Sequence, residues 1–218
     1  MKIDIIEQLK QDIENTTNYE EIFEIYSKEL INNYALKFEN KIYNFIEIEF
    51  YFYDRDRHPD PYVHMNSKQL ESNIFYPHGS GIDLCFGNGK YFGGILIRSI
   101  KNENNYINGS LILINTLFKK EKITDEDTNK LELIKFNNSS NLIISSSTRV
   151  GLQVHPLDYE FFIESKEKFK PYIFRLYRFI SNFDLSVNKC KDKTKIIFYN
   201  YKKNIDGFKR PKYVQDSK

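Results

Sequence analysis

Between residues 43 and 64, YNFIEIEFYFYDRDRHPDPYVH, carboxylates, phenols and imidazoles are spaced as a reactive site would need them. Tyr43, Phe45, Glu47, Glu49, Tyr51 and Tyr53 alternate with Asn44, Ile46, Ile48, Phe50 and Phe52. A strand has a side-chain period of two, so the two sets face opposite ways. One face is nearly pure hydrocarbon and belongs against a core. The other sets two carboxylates among aromatic rings, which reads as a pocket wall. A carboxylate so placed can take a proton from water or stabilise developing positive charge. Of the two, Glu49 lies among Phe45, Tyr51 and Tyr53, whereas Glu47 reads as a surface or structural carboxylate.

Just beyond the strand, Asp54, Asp56, His58, Asp60 and His64 fall within eleven residues, and Asp83 could join them. Oxygen and imidazole ligands of this kind hold divalent ions in phosphoesterases and nucleases. Two prolines around Asp60 and the alternating Arg55 and Arg57 oppose a cation there, so no metal is expected. A third reading is a non-catalytic nucleic-acid or partner-binding module. Glu49 separates it from an enzyme, because a binder gains nothing from a carboxylate facing phosphodiester.

The elements that must position these groups follow from periodicity. Ile3, Ile6, Leu9 and Ile13 form a helical stripe. Thr17-Asn18-Tyr19-Glu20 reads as a capping box opening a second helix. Residues 34 to 39 and 42 to 53 read as a hairpin, and 66 to 73 as a short helix. Six of the nine glycines lie between Gly79 and Gly94, where they permit tight turns and close backbone approach to a ligand. Their spacing matches no dinucleotide or phosphate loop. Ile95 to Ile100 is an apolar strand interrupted by Arg98, and 111 to 118 is an apolar run. Residues 124 to 136 resemble a helix capped by Thr124 and 137 to 154 a polar loop leading into a strand, while 171 to 180 places Arg175 and Arg178 among apolar residues. Strands with irregularly placed helices favour an α+β fold.

The chain has 218 residues, enough for one domain over 1–218 with a helical segment at 1–32 and a basic tail at 204–218. It has 18 Phe, 16 Tyr and no Trp, the composition of a folded protein. No stretch reaches the length of a membrane span, and MKIDIIEQLK lacks the apolar run of a signal peptide, so a cytoplasmic protein with no membrane partner is expected. Cys85 and Cys190 fit no metal-ligand spacing and read as reduced thiols. The net charge of +2 hides an asymmetry. From Lys166 onward 15 Lys and Arg face 5 Asp and Glu, which leaves 17 against 25 before it. A basic third interleaved with aromatic residues is the footprint of a phosphate backbone.

The order of these pieces resembles the methylpurine (alkyladenine) DNA glycosylase superfamily. That family has a V-E-T-E-A-Y strand, a polar loop ending in His, an aromatic hairpin leading to C-x-N, an L-L-R-A-L strand, an R-V-G-V segment and a final R-F strand. The counterparts here are IEIEFY (46–51), the loop with His58 and His64, FYPHGSGIDLCFG (75–87), ILIRSI (95–100), TRVGL (148–152) and IFRLYRFI (173–180). The resemblance spans about 140 residues.

It implies an α+β fold with a curved, mostly antiparallel sheet flanked by N-terminal and peripheral helices. It also implies a hydrolase that flips a modified base of duplex or single-stranded DNA and cleaves its N-glycosidic bond. No cofactor is implied, and the chain is expected to be a monomer. Glu49 takes the place of the water-activating base and Tyr51 that of the residue stacking on the flipped base. Either His58 or His64 matches the pocket histidine. Tyr76 lies near the intercalating tyrosine, with His78 beside it in the hairpin, and Arg98 and Arg149 match the arginines of the L-L-R and R-V-G motifs. Two residues depart from the pattern. Phe50 stands where the family has a small residue and should point into the core. Asp83 stands at the pocket Asn, exchanging a donor–acceptor amide for an acceptor or an anion, which leaves the base it reads open. No lysine falls where a Schiff-base nucleophile would sit, so hydrolysis without strand cleavage is expected.

Overall fold

A computed structural model describes residues 4–103, 105–120, 123–136, 142–149, 151–152 and 170–181. The basic tail, Cys190 and most of the basic third lie outside them. Two helices, α1 (Ile5–Asn15) and α2 (Tyr19–Asn33), open the chain. Asp4 caps the first through the Ile6 N–H. Asn18, one residue after the expected Thr17, caps the second, accepting from the Glu21 N–H and donating its amide to the Glu21 carboxylate.

The sheet is antiparallel throughout and curls on itself. Its axis is β2 (Lys41–Asp54). On one side β2 pairs with β6 (Phe92–Asn102), which continues through β5 (Gly81–Phe86) to β4 (Ser72–His78) and carries the short β7 (Asn105–Asn108) at its far end. The other side of β2 is divided among three partners. β1 (Tyr34–Phe38) takes residues 41–44, β10 (Arg178–Ser181) takes 47–49, and β3 (His58–Pro59) takes 53–54. β8 (Leu131–Lys135) extends the sheet from β1, and β9 (Ile144–Ser147) extends it from β10. The fold is α+β, as expected.

Three expectations change, and one apolar run left without an element is assigned. Thr124 does open a helix, but α4 (Asp125–Thr128) lasts one turn before the chain becomes β8. The open edge of β1 supplies hydrogen bonds that outweigh the local cap. The apolar run 111–118 is a helix, α3 (Ser110–Phe118), and the expected strand 173–180 is a 3-10 turn (Lys170–Phe174) with strand only from Arg178. The short helix near 66–73 is a single 3-10 turn, Ser67–Leu70.

The strict alternation along β2 also breaks, and the site depends on the break. Pairing with β6 shifts on both sides of Glu47, leaving Ile46 on β2 and Arg98 on β6 as extra residues. A bulge reverses the facing of everything before it. Tyr43 and Phe45 therefore join Ile48, Phe50 and Phe52 in the main core, not the face of Glu47 and Glu49. That core packs α1 and α2 against the sheet. Phe23 of α2 stacks on Phe50 at 4.6 Å, and Ile6, Leu9 and Ile13 of α1 are fully buried. Phe50 is thus a core residue, as its position in the alternation requires.

Two of the dense glycines, Gly93 and Gly94, make room for the protein's own side chains, while Gly79 has open space around it and lines the cavity described below. A Cβ on Gly93 would meet the Phe86 ring at 2.5 Å, and one on Gly94 would meet Asp83 Oδ2 at 2.5 Å. No helix among the described residues is long and apolar enough to cross a membrane.

Candidate active site

With the bulges in place, Arg98 and Ser99 both reach Glu47, although they are consecutive. Arg98 Nε donates to Glu47 Oε1 at 2.7 Å, and Ser99 Oγ lies 3.3 Å from Oε2. From the other side Arg178 of β10 donates through Nε at 2.7 Å and Nη2 at 2.6 Å to the same Oε1. Glu47 is 1% exposed, so it is a structural carboxylate that anchors two arginines rather than a surface one.

Glu49, one strand repeat further on, is fully buried. Its Oε2 accepts from the Tyr51 hydroxyl at 2.8 Å and from Arg98 Nη1 at 3.3 Å, while Oε1 lies 3.7 Å from Arg178 Nε. Burial, and then the charge of Glu49, push the Tyr51 phenol well above its ordinary pKa, so Tyr51 is a donor. Burial alone would lower the Arg98 guanidinium, but Glu49 and Glu47 hold it above its usual value. Arg149 lies behind the Tyr51 ring, its Cζ 4.6 Å from the centroid, and pairs through Nη2 with Asp60 at 2.7 Å. Its Nη1 donates to the Phe50 carbonyl at 3.3 Å, fastening the strand edge below the site. Three arginines, Arg98, Arg149 and Arg178, thus face three carboxylates, Glu47, Glu49 and Asp60.

In front of this network is a cavity of about 400 Å³. Tyr51 and Arg98 form part of its wall, with Tyr62 and His64 from the loop, and the hairpin residues His78 and Asp83. Glu49 is not among the lining residues. It stands behind the two donors that are.

Of the two candidate histidines, only His64 reaches the cavity. His58 is 3% exposed and packs behind β2, with Tyr19 at 4.8 Å and Tyr172 at 4.8 Å. Burial holds its pKa down at about 4, so the ring is neutral. Its Nδ1–H donates to the Phe52 carbonyl at 2.9 Å, and Nε2 accepts from the Tyr177 hydroxyl at 2.8 Å. The expectation of His58 as a pocket residue therefore gives way to a core role, because α2 and the turn before β10 claim its ring. His78 does face the cavity, 4.2 Å from the His64 ring. Tyr76 lies opposite Asp83 on β4, its ring 5.2 Å from His78 and outside the cavity lining. Arg149 likewise supports the site from behind without lining it.

The loop residues that read as metal ligands diverge. Asp54 pairs with Arg57 at 2.8 Å, Asp60 with Arg149, and His58 turns into the core. Sequence reasoning passed over Gln69, whose side chain reaches Asp83. The N-x-x-Q spacing of Asn66 and Gln69 is a capping-box signature that could have drawn attention to it.

The chain is thus an α+β protein in which a curled antiparallel sheet carries a buried charge network beside a polar, aromatic cavity. No protein-family model matches it. It is similar to the uncharacterized protein L759 of Acanthamoeba polyphaga mimivirus, 29% identical over 153 residues, which is 57% of this chain and 70% of that protein.

Proposed function

We propose that the chain hydrolyses the N-glycosidic bond of a modified nucleobase that is turned out of a DNA strand into this cavity. The observation supporting the reading is that two hydrogen-bond donors to Glu49 Oε2, Tyr51 and Arg98, line the cavity. A carboxylate held this way is fixed in direction and stays close to whatever fills the space in front of it. Water entering between Tyr51 and Arg98 attacks the sugar carbon and gives its proton to Glu49. The carbon–nitrogen bond breaks with its electron pair leaving on the base, which is protonated by solvent. The transition state is oxocarbenium-like, so the same carboxylate also stabilises its positive charge. The Tyr51 and Tyr62 rings offer flat surfaces to the base, and each stacking contact of this kind contributes about 1–3 kcal/mol. The excess of Lys and Arg after Lys166 supports DNA as the partner.

The test incubates wild type and Glu49→Gln with duplex and single-stranded oligonucleotides carrying hypoxanthine, 3-methyladenine, ethenoadenine, oxanine or uracil, and reveals abasic sites with alkali. Wild type releases a base from at least one substrate, and Glu49→Gln is slower by about 10²–10⁴-fold with binding retained. Binding without release on every substrate would replace the hydrolase with a non-catalytic binding module. Release that needs added divalent metal would remove the water-and-carboxylate mechanism.

A further inference from the structure

The hydrogen bonds around Asp83 fix which groups of its neighbours donate to it. The Ser80 backbone N–H donates to His78 Nδ1 at 3.2 Å, so Nδ1 is an acceptor and the ring proton is on Nε2. That Nε2–H points at Asp83 Oδ1, 3.0 Å away. Gln69 Oε1 accepts from the Asn66 backbone N–H at 3.3 Å, which fixes the amide so that Nε2 donates to Asp83 Oδ2 at 2.8 Å. Asp83 therefore accepts one bond at each oxygen, from His78 and from Gln69, and is 2% exposed at the cavity wall. A carboxylate has roughly four acceptor sites, so each oxygen retains capacity that a ligand in the cavity can use. Gly94 leaves the carboxylate its space, since a methyl group there would press on Oδ2.

We propose that Asp83 is the specificity-determining residue of this cavity. It selects a planar heterocycle presenting an amidine-type edge, a ring N–H beside an amino group, so that the two donors meet the two carboxylate oxygens as a fork. A base offering a carbonyl or an unprotonated ring nitrogen at that edge places acceptor against acceptor and is rejected. A buried site built to hydrogen-bond a donor discriminates strongly against the analogue lacking it, because its own polar group is left unpaired. That the ligand is a nucleobase rests on the function proposed above. The edge it must present follows from Asp83, His78 and Gln69.

The test needs no glycosidic bond and no turnover. Free guanine, whose N1–H and 2-amino group form such an edge, and hypoxanthine, which lacks only the amino group, are titrated into the full-length protein by calorimetry. Guanine binds roughly 10- to 100-fold more tightly, the range for a hydrogen bond to a charged group. Asp83→Asn, checked for folding by its thermal melt, brings the ratio close to one. Equal affinities in wild type, a preference for hypoxanthine, or no binding of either base would each overturn the proposal, whether or not the variant folds. A guanine preference in a protein that releases no base from any oligonucleotide would uphold this inference and remove the hydrolase reading.

Discussion

Ile48, Phe50 and Phe52 on one face of β2 and Glu47 and Glu49 on the other are equally dry, each at 1% exposure or less. The first group faces rings and aliphatic side chains from α1, α2 and β10, and its stability comes from apolar area removed from water. The second faces arginines from strands on both flanks of β2, β6 and β10. Removing charges from water costs several kcal/mol per ion, and their attraction offsets that only when the partners are fixed and the remaining hydrogen bonds are made. The apolar face therefore tolerates partial repacking, while the charged face holds only while its charges match. Both faces need Phe179 and Arg178, neighbours on β10 that point opposite ways. One short strand thus closes the core and neutralises the network.

The largest expected effect tests that difference directly. Arg178→Ala removes the guanidinium that donates twice to buried Glu47 and should cost about 3–5 kcal/mol in denaturant unfolding. Phe50→Ala, on the other face, should cost a similar 3–5 kcal/mol by opening a cavity. The two diverge in their rescue. Arg178→Met combined with Glu47→Leu should recover most of the Arg178 loss, because apolar residues of similar volume replace ion pairs at little cost. No charge change elsewhere should rescue Phe50→Ala. A double variant as unstable as Arg178→Ala would mean that the network adds net stability and not only balance.

A smaller effect separates the faces by pH. His58 belongs to the dry aromatic packing, with a pKa lowered from 6.5 to about 4. Below the unfolded pKa the denatured chain takes up a proton that the folded one refuses. His58 therefore contributes no loss above about pH 6.5. Stability falls as pH drops from there toward 4, by up to about 3 kcal/mol. Urea midpoints at pH 7.5 and 4.5 check this, and His58→Gln should flatten that part of the profile. The smallest expected effect is that of Tyr51→Phe. It removes the hydroxyl that donates to the Glu49 carboxylate and keeps the ring, and should cost about 1.5–3 kcal/mol in stability. Under the proposed reaction it should also slow base release while leaving base affinity nearly unchanged.

Much of this was legible in the residue order. The period-two pattern from Ile48 to Tyr53 is a strand with one core face, and Phe50 sits on that face as its position requires. The carboxylates, Arg98 and Asp83 were recognisable by type as groups that could act together. Where alternation was extended back to Tyr43 and Phe45, it failed, because a single extra residue at Ile46 reverses the facing and no local propensity announces a bulge. His58 and His64 could not be told apart, since they differ only in what packs against them. Residues 124–136 carried a helix cap but became β8, because an unpaired strand edge is a long-range feature.

By itself the sequence determined the α+β class, the helical N-terminal segment, the axial strand and the chemical types of the site, because these depend on period and composition. Tertiary structure decided which carboxylate anchors arginines and which stands behind the cavity wall, which histidine faces that cavity, and that Gln69 meets Asp83. Those outcomes depend on two register shifts and on pairings between residues up to 131 positions apart. Interactions across such separations are set by the closure of the whole sheet and not by any local pattern.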